Sequence, residues 1–440
     1  MSSWRPGVVV LVALALGAGG CVGHSKTATQ APTEVRIGLI AGLSGDNRGA
    51  GIEAQRGAEL AADVVNGLNS LIPLPLANDP GLPNLGNARI RIVTKDVGSN
   101  PDSATQAANA VTSMVARQGV AAIIGGYDAD VTVKASQRAE RIPVPFVNAD
   151  SSVSFLTERG LDWFFRLGPS ARTSGEAFFS LLKQAASQGK PTTKVAVLHA
   201  TDKAGTDADA VIKELADEGG YDVVADATFE PDQADLGPVV GTIQAAAPDV
   251  VFVAPTAKTV PALVKAFADR RYKPSAVMAY GSGYLDSSIL KNAGAAVTGV
   301  CREVAWSHDL AGRNEAARAV AELYQRKYNA SMTEEAADSF TAVLTLAIAI
   351  NNAGSAQARP VRSALLNLDI PGKDTIMPWA GIQFDETHQN SGAASVVEQF
   401  INKAYRVVFP FDAAAGDQQF AYPAPGAPAP GGPTGAAPVG

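Results

Sequence analysis

Four aspartates, Asp128, Asp130, Asp150 and Asp202, stand in short loops that follow apolar runs. Carboxylates held in unlike surroundings can act as general acid and base. The same groups can accept hydrogen bonds from a bound small molecule. Little else in the chain offers chemistry. The histidines at 24, 199, 308 and 388 are scattered, with no His-x-x-x-His and no cysteine pair to complete a metal site. Cys301 sits alone in the apolar run 297–306, a setting for a buried, inert thiol. No phosphate-binding Gly-x-x-x-x-Gly-Lys loop or Gly-x-Ser-x-Gly elbow occurs, and Gly281-Ser-Gly283 lacks the third glycine of a dinucleotide loop. Asp202 also suits the N-terminal end of the helix expected from about 207, as a favourable charge. The expectation is a binding protein with no catalytic group, metal or cofactor.

These loops need a scaffold. Residues 34–41, 88–95, 120–124 and 144–147 are short apolar runs, and helical spacing fills the stretches between them. Asn100-Pro101-Asp102 caps one of these helices, with proline in its first turn. After Phe164-Phe165-Arg166-Leu167 the alternation restarts, with strands at 194–199, 222–229, 249–254 and 275–280. Helices are expected at 173–187, 207–218 and 260–271, then at 312–328, 334–352 and 360–367. Strands at 396–402 and 404–409 close the pattern. Two βαβα runs predict an α/β fold of two Rossmann-like lobes, each an open parallel sheet covered on both faces. Loops at the carboxyl ends of parallel strands line the ligand crevice, here a cleft between lobes. The Pro- and Leu-rich stretch 68–87 reads as a surface insertion.

Length and composition agree. A chain of 440 residues is too long for one core, and a formal net charge of -7 without a basic block argues against nucleic acid. Segment 1–20 combines Arg5, an apolar run at 8–16 and small residues, the grammar of an export signal. Gly17-Ala-Gly-Gly-Cys21 resembles the lipobox of bacterial lipoproteins, with Ala18 where leucine is usual. That resemblance implies cleavage before Cys21, lipidation of its sulfur, and a tether over 21–33. Residues 412–440, rich in Pro, Gly and Ala, read as a disordered tail. No stretch beyond the leader is expected to span a membrane.

The loop sequences carry a second resemblance. Ile37-Gly-Leu-Ile-Ala-Gly-Leu-Ser-Gly45, Ile123-Ile-Gly-Gly-Tyr-Asp-Ala-Asp-Val-Thr132 and Pro145-Phe-Val-Asn-Ala-Asp-Ser-Ser152 are followed by Leu156-Thr-Glu-Arg-Gly160. Together they resemble bacterial periplasmic binding proteins of type I, the branched-chain amino acid and amide class. The resemblance implies a clamshell with a three-strand hinge. Its first lobe would span 34–168 plus 303–385, and its second 169–302 plus 386–411. The ligand would meet Ser44, Tyr127, Asp128, Ala129, Asp130, Asp150, Ser151 and Ser152 on the first lobe. Thr201, Asp202, Thr256, Ser282 and Tyr284 would close from the second. One hydroxyl that would hold a ligand carboxylate matches Ser152, but the other falls on Ala129 beside Asp130. The acid that would pair with a ligand ammonium falls on Ser282. A ligand carboxylate facing Asp130 without a cation would be repelled by several kcal/mol in a dry cleft, which points away from a plain aliphatic amino acid. Alternatively Asp130 caps the helix expected near Val131.

The implied partners are a small polar ligand and the permease and ATPase subunits of an ABC importer, with the membrane reached only through the lipid. The implied location is extracytoplasmic. Rival readings on the same sequence are a sensory receptor, a hydrolase using the loop carboxylates, and a structural envelope lipoprotein.

Overall fold

The computed structural model describes Met1 and residues 32–67, 69, 71–281, 297–312, 314–410, 413–414 and 418–427. Cys21, the rest of the leader, Ser282 and Tyr284 lie outside the described residues. Residues 32–440 separate from 1–31 as their own unit.

Strand β1 (Glu34–Ala41) has an almost wholly buried apolar run, as a central parallel strand requires. It pairs in parallel with β2 (Arg89–Asp96) on one side and β3 (Ala122–Gly125) on the other. Strands β4 (Phe146–Asn148) and β5 (Phe164–Arg166) complete a parallel sheet of order β2-β1-β3-β4-β5. The order reverses between β1 and β3, so the loops after them diverge and leave a crevice. Helix α1 (Arg48–Asn66) buries Ala54, Ala58, Ala61, Ala62 and Val65 along one stripe. Helices α2 (Ser103–Gln118) and α3 (Ala129–Arg141) pack against one another, and the short α4 (Phe155–Glu158) precedes β5.

The second sheet gathers β6 (Lys194–Ala200), β7 (Asp222–Phe229), β8 (Val250–Ala254), β9 (Val277–Ala279) and β10 (Val300–Val304) in parallel. Antiparallel β13 (Val396–Ile401) and β14 (Ala404–Phe409) extend it. Its order is β14-β13-β10-β9-β8-β6-β7, so it reverses between β6 and β8. Helices α5 (Ala171–Ser187), α6 (Lys203–Gly219), α7 (Gly237–Ala246) and α8 (Val260–Asp269) cover it. Beyond β10, α9 (Glu315–Tyr328), α10 (Glu334–Ala353) and α11 (Ala358–Leu366) return to the first lobe. A small ladder of β11 (Ile370–Pro371) and β12 (Gly381–Ile382) follows.

Helix α10 is long and apolar enough to cross a membrane, with mean hydropathy 1.2 over its spanning window, which amends the expectation above. Instead, its residues 336–350 are all buried in protein. It lies so close to α1 that a Cβ on Gly57 would overlap the Ala336 carbonyl oxygen; only glycine permits that approach.

Two further expectations change. Stretch 68–87 is no loose insertion, since Ile72, Leu74, Ala77, Leu82 and Leu85 join the first lobe's core. Asn84 also donates twice to Asn351, from its backbone N–H to Oδ1 and from its Nδ2 to the carbonyl, each at 2.9 Å. The tail is not wholly without fixed structure either. Phe420 and Ala424 are buried against the second lobe, and Gln399 bonds both the N–H (2.8 Å) and the carbonyl (3.0 Å) of Ala421.

The crossover between lobes is held by Arg166, 2% exposed at the end of β5. Its guanidinium donates to the carbonyls of Ser152 (3.0 Å) and Val153 (2.6 Å), to Thr157 Oγ1 (3.2 Å) and to Gln389 Oε1. Segment 388–390 runs beside 166–168, with Arg166 N–H to His388 O at 2.9 Å and Asn390 N–H to Arg166 O at 2.8 Å. His388 stacks on Phe165 with ring centroids 4.6 Å apart. Burial pulls the Arg166 pKa down to about 10, the nearby Asp207, Glu158 and Asp385 charges opposing it, and the cation persists at neutral pH. Arg166→Ala leaves several acceptors without donors. It is expected to cost about 3–5 kcal/mol in urea unfolding, where an exposed arginine would cost less than about 1 kcal/mol.

Candidate functional site

A recess of ≈ 430 Å³, counting its open mouth, lies at the β1/β3 reversal of the first lobe. Its walls come from the carboxyl ends of the strands: Ile40 and Ala41 end β1, Gly125 ends β3 with Gly126 and Tyr127 after it, and Asp150 follows β4. Gly125 has a positive φ, and a Cβ there would overlap the Ile40 carbonyl oxygen, so the loop turns at this point because it is glycine. Asn148 secures the floor. It is fully buried, and its Nδ2 donates to the carbonyls of Gly125 (3.0 Å) and Gly126 (2.9 Å) while its Oδ1 accepts from Ser151 N–H (3.1 Å).

The expected first-lobe residues divide into two groups. Tyr127, Asp128 and Asp150 line the recess, with Ala129 and Asp130 beginning α3 beside it. Asp128 keeps an exposed surface at the rim, where its Oδ2 accepts from Asn47 Nδ2 at 2.9 Å. Crowding by surrounding atoms, then the charges of Asp130 and Asp202, raise its carboxyl above the usual range against that bond. Ser44, Ser151 and Ser152 are not on the recess wall. Ser44 is exposed and its Oγ donates to Asp96 Oδ2 at 2.9 Å, while Ser152 offers its carbonyl to Ala171 N–H and Arg166.

On the second lobe, the expected ligand contacts are committed locally. Asp202 caps α6 by accepting from Gly205 N–H at 2.8 Å. Thr201 Oγ1 donates to Glu230 Oε2 (3.1 Å), and Thr256 Oγ1 to the Pro231 carbonyl (2.9 Å). Asp130 neither caps α3 nor stands without a cation: from the helix's first turn it pairs with Lys203 of the second lobe. The repulsion argued at Asp130 therefore has a counter-charge. Lys258 Nζ likewise reaches Asp46 Oδ2 at 3.0 Å. Both pairs are exposed and each contributes at most about 1 kcal/mol, enough to bias the approach of the lobes without locking it.

The uncompensated charge sits deeper. Glu334 and Glu335 open α10, and Asp338 follows one turn later, 4% exposed. Their fields act on one another and on Asp150, and Glu303 of β10 acts on Glu334 from the second lobe. Burial and then the Glu335 charge push Asp150 up to about 7. Burial pushes Glu303 up to about 7, against the Gly281 N–H bond at 2.8 Å. Asp338 and Glu334 are held well above the carboxylate range, by burial first and then by neighbouring acids. The cation that opposes them, Arg302, is turned to Glu398, with Nη2 to Oε2 at 2.8 Å. Like charges so placed repel one another, and that repulsion together with burial favours the protonated form of these acids.

Of these acids only Asp150 was expected from sequence as part of the site; Glu303, Glu334, Glu335 and Asp338 were not. A signal existed: Glu334 and Asp338 stand at an i, i+4 spacing on one helical face, a repulsive arrangement in an otherwise apolar helix.

Elsewhere, Cys301 is fully buried, and burial raises its thiol pKa far above the ordinary value. Among the described residues the acids and histidines drawn tight enough for a metal are His199, Asp209 and Asp226. Lys213 already bridges both carboxylates there, reaching Asp209 Oδ2 at 2.8 Å.

A family model described as periplasmic binding protein matches residues 34–404, and the chain belongs to that family of extracytoplasmic solute-binding proteins. It is 24% identical over 395 residues to the Leu/Ile/Val-binding protein homolog 7 of Brucella suis biovar 1 (strain 1330), covering 88% of this chain and 94% of that one. Among solved structures it is similar to the branched-chain amino acid transporter substrate-binding protein LivJ from Streptococcus pneumoniae in complex with isoleucine. That likeness has a TM-score of 0.68 at 20% identity and covers 85% of this chain and 99% of that one. A solute-binding protein of an ABC transporter from R. palustris, in complex with benzoate, aligns with a TM-score of 0.67 at 16% identity, covering 88% and 99%. The fold is thus the two-lobed type I periplasmic binding protein, on which relatives hold chemically unlike ligands.

The acids set a pH dependence. Folded-state pKa values of about 7 for Asp150 and Glu303 exceed the unfolded values near 4. The folded protein therefore binds more protons between these limits, and its stability falls as pH rises through about 7. Denaturant unfolding is expected to give higher stability at pH 6 than at pH 8. Asp338→Asn is expected to stabilise the protein at pH 8 and to flatten that slope; an unchanged slope contradicts this assignment.

Proposed function

We propose that this chain is the lipid-anchored substrate-binding component of an ABC importer, capturing a small polar molecule between its lobes by hinge closure. The observation that carries the reading is the recess at the β1/β3 reversal, faced by a second lobe whose rim reaches back through Lys203 to Asp130. A ligand seated on the first lobe favours the closed state in proportion to the contacts it gains from the second. We place the hinge near 164–168, 298–305 and 379–385; β10, with Glu303, pairs within the second sheet, so the second lobe runs past the boundary at 302 expected from sequence. Support comes from the paired run of 166–168 beside 388–390.

In this reading Tyr127, Asp128 and Asp150 touch the ligand, Ala129 leaves room at the start of α3, and Ser151 shapes the floor through Asn148. Lipidation at Cys21 keeps the receptor close to its permease and raises the effective concentration of captured ligand there. No residue of the recess is assigned a bond-making role.

Thermal denaturation of the full-length protein against amino acids, amides, polyamines, polyols and small aromatic acids tests the capture step. A true ligand at 100 times its Kd is expected to add about 2.7 kcal/mol and to be recovered unchanged after incubation. A panel without any shift, or a ligand consumed, contradicts the proposal. Cys21→Ser is expected to move the protein from the membrane fraction to the soluble one, and an unchanged partition refutes the anchor.

A further inference from the structure

Asp338 is the most sequestered acid near the recess, at 4% exposure, and its Oδ1 has no hydrogen-bonding partner among the described residues. The same holds for Glu334 Oε2 and Glu303 Oε2, each with its atom shielded from solvent. The other oxygens of the two glutamates are served, Glu334 Oε1 by Ala305 N–H and Glu303 Oε1 by Gly281 N–H. Backbone donors thus fix these carboxylates while one oxygen of each stays open. A buried acceptor left without a donor is costly, and it persists where a further donor completes it.

The open oxygens come from both lobes, Glu303 from the second sheet and Glu334 and Asp338 from α10 of the first. Of these, Asp338 lies close enough to Asp150, which itself lines the recess, for their charges to act on one another. Arg302, paired with Glu398, is one positive charge set against Glu303, Glu334 and Glu335. Resting on the reading of this cleft as a ligand site, we propose that the physiological ligand is an organic cation, an aliphatic amine or guanidine. Its charged end reaches past Asp150 to Asp338, and Glu303, on the hinge strand β10, completes its surroundings.

An ammonium or guanidinium supplies three to five N–H donors, which suits several open acceptors spread over a wall. A bare metal ion suits them less. Among the described residues, no set including these acids converges as closely as His199, Asp209 and Asp226 do. Anionic ligands meet unrelieved repulsion at the same wall, so benzoate-like molecules are disfavoured. A zwitterion such as leucine gains the contact at one end and loses it at the other.

Isothermal titration of the full-length protein at pH 7.5 with putrescine, agmatine, leucine and benzoate decides the matter. At least one of the two amines is expected to bind tenfold or more tightly than leucine, with no binding of benzoate. Asp338→Asn and Glu303→Gln are each expected to weaken that amine at least tenfold while unfolding no earlier than the parent. Tightest binding by leucine or benzoate overturns the cation assignment and leaves the binding-protein reading standing. Amine binding indifferent to both substitutions overturns it too. Silence from all four compounds, together with no stabilisation by any class of small molecule, sinks both readings.

Discussion

Burying carboxylates without enough donors is the constraint around which this cleft is organised. Water would solvate Asp150, Glu303, Glu334 and Asp338 readily, but the fold buries Asp338, leaves the other three half-buried, and crowds all four carboxyls with protein atoms. The parallel sheets make that unavoidable, because every strand delivers its following loop to the same edge. Once two such edges face one another, whatever is polar at the ends of β3, β4 and β10 is trapped between them. The protein meets part of the cost by holding protons, and a ligand can meet the rest.

Around that gap the fold separates rigid from adjustable contacts. Arg166 and the 388–390 segment weld the crossover with buried, multiply bonded groups whose loss exposes orphaned acceptors. The rim pairs Asp130–Lys203 and Asp46–Lys258 are exposed and cheap to break. That division of strong and weak contacts suits the capture and release proposed above. Buried polar groups provide selectivity in such a site, because a wrong ligand leaves them unpaired.

Most of the framework was legible in the sequence because strand burial and helix periodicity are local signals. Strands β1, β7 and β14 begin and end where the apolar runs do. Helix α7 was not expected: Gly237-Pro238 and Gly241 dilute its pattern, and Val240 and Ile243 are its buried residues. Tertiary burial also overrode composition in 68–87 and 418–427, where a few apolar side chains find a core that local reasoning cannot see. The site was half legible. Tyr127, Asp128 and Asp150 follow apolar strands in plain view, whereas Lys203 opposite Asp130 is a contact between lobes. Asp338 was hidden differently, since its helix returns to the first lobe only after β6 to β10 of the second sheet have intervened since β4, and gains meaning only beside Asp150.

If protonated acids are what a cationic ligand encounters, binding must displace those protons. Calorimetric titration of the most stabilising amine at pH 7, repeated in buffers of different ionisation enthalpy, measures that exchange. The account predicts net proton release that shrinks as the titration is moved to pH 9. Heats independent of the buffer, or net proton uptake, would contradict it.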